Sequence, residues 1–164
     1  RGNIEDAEPI LLDVLRLNPN QPFVNHSLAL ARRAQGDPNA AEQFLTEEIR
    51  LHPPAIPARR TLVEVLAEQR RYEDQLAQLQ MIASLEPPNA LTMHSRAQAL
   101  FNLGRIEESA TETTRCREAE AAYPGCWMLW ANILSKQGKK TEARAAYEEA
   151  LRLAGKGRSA ESGQ

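Results

Sequence analysis

Residues Trp127 to Leu153, WMLWANILSKQGKKTEARAAYEEALRL, decide the fold. Trp127, Trp130, Ala131 and Leu134 recur at the spacing of one helix face. Gly138 interrupts the pattern, and Ala143, Tyr147, Ala150 and Leu151 resume it. The stretch reads as two amphipathic helices joined by a tight turn at a glycine.

Working outward, the design recurs at the 34-residue offset that separates Gly104 from Gly138. Gly2, Gly36, Gly104 and Gly138 form one column, with Arg70 in the remaining slot, and Pro19, Pro53 and Pro87 form a second. Leu17, Leu51, Leu85, Ala119 and Leu153 place an apolar or small residue near the end of every second helix. The register predicts nine helices in one array over 1–154: a half-repeat, 3–21, then full units 22–55, 56–89, 90–123 and 124–157. The polar tail 155–164 lacks periodicity and is expected to fray. The first helix, about 5–17, is expected to bury Ile10, Leu11, Val14 and Leu15, with Pro9 in its first turns. Arg70 requires either a right-handed turn or a strained residue. Glu48 stands where other units have apolar or small residues and reads as an exposed or salt-bridged carboxylate. The second helix of unit 90–123 carries Ser109, Thr113 and Thr114, has no proline stop, and is expected to run a turn longer than its equivalents, to about Tyr123.

The arrangement Trp127-x2-Trp130-Ala131-x2-Leu134, followed by Ala143-x3-Tyr147, resembles the tetratricopeptide (TPR) signature W-x2-L-G-x2-Y with A-x3-F. The resemblance implies an all-α, right-handed solenoid of antiparallel helix pairs. In such arrays the first helix of each unit lines a concave groove, chiefly through positions 2, 5, 6, 9, 12 and 13. Carried over residue by residue, the lining is Phe23, His26, Leu30 and Arg33, then Arg60 and Glu64, then Leu91, His94, Gln98, Phe101 and Asn102, then Met128 and Asn132. His26, Arg60 and His94 share one column and suggest a weakly basic stripe for an acidic group or a C-terminal carboxylate, set against an incidental solvated column. The two-carboxylate clamp of TPR co-chaperones is not matched: His26, Leu30, Thr61, Leu91 and Ser95 replace its Lys, Asn and Arg residues in one frame. Arg60, Glu64, Ser95, Gly125 and Leu129 replace them in the next, so a chaperone tail of that kind is not the expected partner.

A formal charge of -2 and a pI near 6.0 give no general attraction to phosphate backbones, so nucleic acid is not an expected partner. No apolar run reaches membrane-spanning length. Nucleophile-elbow, P-loop, zinc-protease and dinucleotide motifs do not occur, and His26, His52 and His94 lack partners at metal-ligand spacing. Neither a catalytic residue nor a metal or cofactor is therefore expected. Cys116 and Cys126 read as two small buried thiols, with a disulfide between them as the alternative. The function expected is a non-catalytic interaction module that binds a peptide segment or partner helix in its groove. The alternative is a regulatory or substrate-presenting arm of a larger enzyme or secretion/assembly protein. Uncapped ends would allow self-association. The sequence leaves the compartment open.

Overall fold

Four glycine-column turns shape the chain. Gly36, Arg70, Gly104 and Gly138 all take the left-handed conformation, with φ of 80°, 60°, 77° and 79°. In each turn the next amide reaches back five residues: Asp37 N–H to Arg32 O, Arg71 to Leu66, Arg105 to Leu100 and Lys139 to Leu134, at 2.8 to 3.0 Å. These bonds satisfy carbonyls that a helix end would otherwise leave open, and they reverse the chain within a few residues. Arg70 makes the same bonds as the glycines, so of the two expected alternatives the strained one is present.

The computed structural model describes the backbone of residues 2–161 and the side chains of 7–155. Among the described residues the fold is all-α, with nine helices: α1 (Gly2–Leu17), α2 (Val24–Ala34), α3 (Pro38–Leu51), α4 (Ile56–Glu68), α5 (Tyr72–Leu85), α6 (Ala90–Asn102), α7 (Ile106–Ala119), α8 (Pro124–Lys136) and α9 (Lys140–Glu161). After α1 they pair as the antiparallel hairpins α2–α3, α4–α5, α6–α7 and α8–α9. Helix starts have local causes. Asp37 accepts the Ala40 N–H with Pro38 at the first helical position, and Asn89 and Thr92 form a reciprocal capping box.

The chain divides into two compact units, Arg1–Glu86 and Pro87–Gln164. In the first, α1 packs on α2 and α3 on α4, and Ala29, Ala41, Leu45, Ala58, Leu62, Val65 and Leu66 form the largest buried cluster. Alanines on facing helices allow close approach, while the leucines supply most of the apolar burial, about 1.5–3 kcal/mol each. In the second, Ala131, Leu134, Ala143 and Ala146 pack under half-buried Trp127, Trp130 and Tyr147, while Ala97, Leu129 and Ile133 join α6 to α8. The polar residues of α7 are absorbed locally. Ser109 and Thr113 are fully buried and donate to the carbonyls of Ala97 (2.8 Å) and Ser109 (2.7 Å).

Several expectations need correction. Helix α1 begins at Gly2 rather than near residue 5, which puts Pro9 in the helix interior. Leu11, Val14 and Leu15 are half-buried but Ile10 is exposed, because α1 packs through one face only, against α2. Helix α7 is no longer than α3 or α5. It stops at Ala119, where Glu120 leaves helical geometry, the Tyr123 N–H bonds to Glu120 O, and Pro124 holds Tyr123 extended at the start of α8. The stretch 155–161, expected to fray, is helical, since Gly155 keeps negative φ and no proline intervenes; residues 162–164 lie outside the described residues.

The turns generate a paired prediction. A residue with a side chain in left-handed geometry costs about 1–2 kcal/mol, and glycine returns about 0.5–1 kcal/mol of that through unfolded-state entropy. Arg70→Gly should therefore raise the unfolding free energy by about 0.5–1 kcal/mol. Gly104→Ala, where an added Cβ meets nothing within 4 Å, should lower it by about 1 kcal/mol through φ alone. Urea denaturation followed by circular dichroism measures both.

Candidate functional site

Within the first unit, α2 and α4 lie side by side and carry five of the expected lining residues, with a sixth, Phe23, at the N-cap of α2. Phe23, the N-cap of α2, and Leu30, within that helix, are 61% and 45% exposed. Their polar neighbours are paired across the two helices. His26 Nε2 lies 2.9 Å from Thr61 Oγ1, and that hydroxyl donates to Pro57 O at 3.2 Å. Arg33 forks between two carboxylates of α4: Glu64, and Glu68 at 2.9 Å from Nε and 2.6 Å from Nη2. These contacts hold its guanidinium above the ordinary arginine range, chiefly through Glu68. Arg60 is ion-paired with Glu86 at the C-cap of α5.

The base of this face contains a buried acid. Glu48 on α3 is 1% exposed, where exposure or a salt bridge was expected. Its Oε1 accepts the Phe23 N–H at 2.9 Å, and its Oε2 has no hydrogen-bond partner. That bond secures the start of α2 at a residue with φ 67°, a conformation uncommon for an aromatic residue.

In the second unit, α6 and α8 are likewise adjacent. Leu91 and Met128 are exposed. Gln98 Nε2 donates to Asn102 Oδ1 at 3.2 Å. Phe101 packs against the core with the Lys136 ammonium 5.1 Å from its ring centroid. Asn132 accepts the Tyr147 hydroxyl at 2.5 Å, so its side chain is tied to α9. His94 meets Tyr123 edge to face at 5.6 Å and lies so close to Gly125 that a Cβ there would stand 3.2 Å from His94 Nε2.

The setting works against a basic stripe. Burial pushes the pKa of His26 down against the opposing attraction of Glu48, burial alone pushes His94 down, and Arg60 is engaged by Glu86. Glu68 and Glu86 were missed by the sequence reading. Glu68 had a signal, since it stands at position 13 of its unit, one turn beyond Glu64.

Cys116 and Cys126 are joined as a disulfide between α7 and α8, with Cα atoms 6.1 Å apart and neither residue exposed. The antiparallel α7–α8 packing brings the end of one unit against the start of the next. Beside the bridge, the Arg117 guanidinium stacks 3.9 Å from the Trp127 ring centroid. Among the described residues no cluster of His, Cys, Asp and Glu is arranged to hold a metal, and no helix is long and apolar enough to cross a membrane.

With this geometry in place, comparison with known proteins gives a consistent result. A tetratricopeptide-repeat profile matches residues 124–156. The fold is the all-α helical-repeat solenoid of the tetratricopeptide type. MamA from Desulfovibrio magneticus RS-1 superposes on this chain with a TM-score of 0.85 at 17% identity, covering 94% of this chain and 87% of MamA. PilF of Pseudomonas aeruginosa gives 0.79 at 18%, covering 93% and 70%. YrrB, described as a TPR protein with an unusual peptide-binding site, gives 0.71 at 12%, covering 87% and 74%. At these identities the likeness concerns the fold. No curated protein matches the sequence.

Two predictions follow from the site. The bridge closes a short loop, 10 residues in separation, so Cys116→Ala/Cys126→Ala should lower stability by about 2–3 kcal/mol. Mass spectrometry of protein purified without reductant should show it lighter than the reduced form by two hydrogens. For the histidines, a folded-state pKa below the unfolded value of about 6.5 means that the unfolded chain binds more protons in mildly acid solution. Their contribution to stability is therefore present above about pH 6.5 and is lost as the pH falls below it. Urea midpoints at neutral and mildly acid pH should show this loss, and His26→Gln/His94→Gln should flatten the dependence.

Proposed function

We propose that this chain is a non-catalytic protein interaction module whose first-helix faces, α2 with α4 and α6 with α8, each take a peptide segment or a helix of a partner protein. One observation carries the reading. Every large apolar residue exposed on the described α2, α4, α6 and α8, namely Phe23, Leu30, Leu91 and Met128, falls at position 2, 5 or 9 of its unit. Those are positions that the resemblance to tetratricopeptide arrays implies for the lining. The exposed area of these side chains is not covered by the fold's own core, and burying it against a partner would be favourable by about 25 cal/mol per Å².

The polar neighbours favour a preorganised surface. His26 and Arg33 are fixed by partners on α4, Asn132 is fixed by Tyr147, and Gln98 is bonded to Asn102. Side chains already ordered lose less entropy on association, so modest contact area can still give useful affinity. The peptide-binding site named for YrrB accords with this use of the same fold.

The test is a random peptide display selection against the full chain and against Phe23→Ala/Leu30→Ala/Leu91→Ala/Met128→Ala. These residues are exposed, so the variant should keep its melting midpoint while enrichment falls at least about tenfold, equivalent to about 1.4 kcal/mol. Equal enrichment by both proteins would sink the proposal.

A further inference from the structure

A face that receives a peptide selects it by the charge left uncompensated once the face has satisfied itself. At the lining positions of α2 and α4 that remainder is negative. One guanidinium, Arg33, serves two carboxylates, Glu64 and Glu68; Arg60 is matched by Glu86; and His26 is hydrogen-bonded to Thr61. Of the other two arginines on these helices, Arg32 is paired with Glu8, and Arg59 is buried against Pro53 O and Gln78, away from this face. Accessibility has the same sense. The side chains of Glu64 and Glu68 are 57% and 47% exposed, whereas that of Arg33 is 28% exposed, so an approaching chain meets the acids first. The wider unit agrees: residues 1–86 contain nine arginines and no lysine against thirteen Asp and Glu, a formal charge of -4.

We propose that the α2–α4 face takes an apolar, basic segment, one that lays apolar side chains on Phe23 and Leu30 and brings lysine or arginine to Glu64 and Glu68. The inference rests on the proposed peptide binding by this face and adds the sign of the partner's charge. An acidic segment would have to draw Arg33 away from both carboxylates, leaving them unpaired. A basic segment adds a cation to a cluster that has one too few. Position also constrains the partner. Phe23 and Leu30 are about 10 Å apart along α2, and Arg33, with its two acids, lies near the C-terminal end of that helix. An extended segment at about 3.3 Å per residue would place its two apolar anchors about three residues apart, with the cation beyond the one on Leu30.

The test uses a random display library of about twelve-residue peptides, selected on the full chain and screened for loss of binding to Phe23→Ala/Leu30→Ala. Peptides that require this face should be rich in Lys and Arg and poor in Asp and Glu. A synthetic peptide from that set should bind Glu64→Gln/Glu68→Gln at least about tenfold more weakly, and should weaken as salt rises. Its Lys→Glu counterpart should not bind the unsubstituted protein, which decides the matter even if the carboxamide variant folds poorly. Face-dependent peptides that are acidic or uncharged, or whose affinity ignores Glu64→Gln/Glu68→Gln, would overturn the charge inference while leaving peptide binding by the face intact. Selected peptides indifferent to Phe23→Ala/Leu30→Ala, or no selection at all, would remove the underlying reading and this inference with it.

Discussion

Each hairpin depends on a single residue in left-handed geometry whose neighbour's amide reaches back five residues to close the first helix. This turn recurs at Gly36, Arg70, Gly104 and Gly138 with nearly the same hydrogen bonds. Because the turn fixes where each second helix sets out, it fixes which face of the first helix is covered. Leu28, Ala31, Leu62, Val65, Ala97, Leu100, Ala131 and Leu134 go inward as a consequence. What remains on the other side of α2 and α4, and of α6 and α8, is left uncovered by the second helices. That Arg70 keeps the turn at an energetic cost shows that the hairpin's bonds and packing outweigh the preference of one residue.

The repeat offset also acts as a ruler for contacts. His26 with Thr61 and Arg33 with Glu68 are both 35 residues apart, one repeat plus one residue, because neighbouring first helices stand in the same register. Position 27 of a unit returns to the start of its own first helix. Glu48 bonds the Phe23 amide across 25 residues, and Cys116 packs on Ala90 across 26. The two residues share a structural place and satisfy it differently, one by accepting a backbone N–H and the other by bonding to Cys126.

Most of the architecture was therefore legible in the sequence, since periodicity and turn chemistry are local and repeat four times. The unit boundaries at Ile56, Ala90 and Pro124 coincide with the starts of α4, α6 and α8. What escaped were outcomes that depend on competition in space. Glu48 reads as a surface acid until α2 is laid across it, and Ile10 reads as core until α1 is seen to pack through one face alone. The end of α7 follows not from the proline column, which has no member there, but from Pro124, which holds Tyr123 out of helical geometry. The lining positions were legible as a column of residues but not as a set of charges.

Charge is where the two levels differ most. Counted along the chain, His26, Arg60 and His94 make a basic column. Folded, the same column contains one arginine bound to a carboxylate and two imidazoles that burial drives toward the neutral form. The net figure of -2 hides a further difference, since residues 87–164 hold eleven Lys and Arg against nine Asp and Glu, the opposite balance to residues 1–86. A formal charge becomes available to a partner only when no neighbour has claimed it. In a TPR array the claim is settled between helices about one repeat apart, so sequence composition at a lining column records the inventory, while the cross-helix pairs decide the sign that a partner meets.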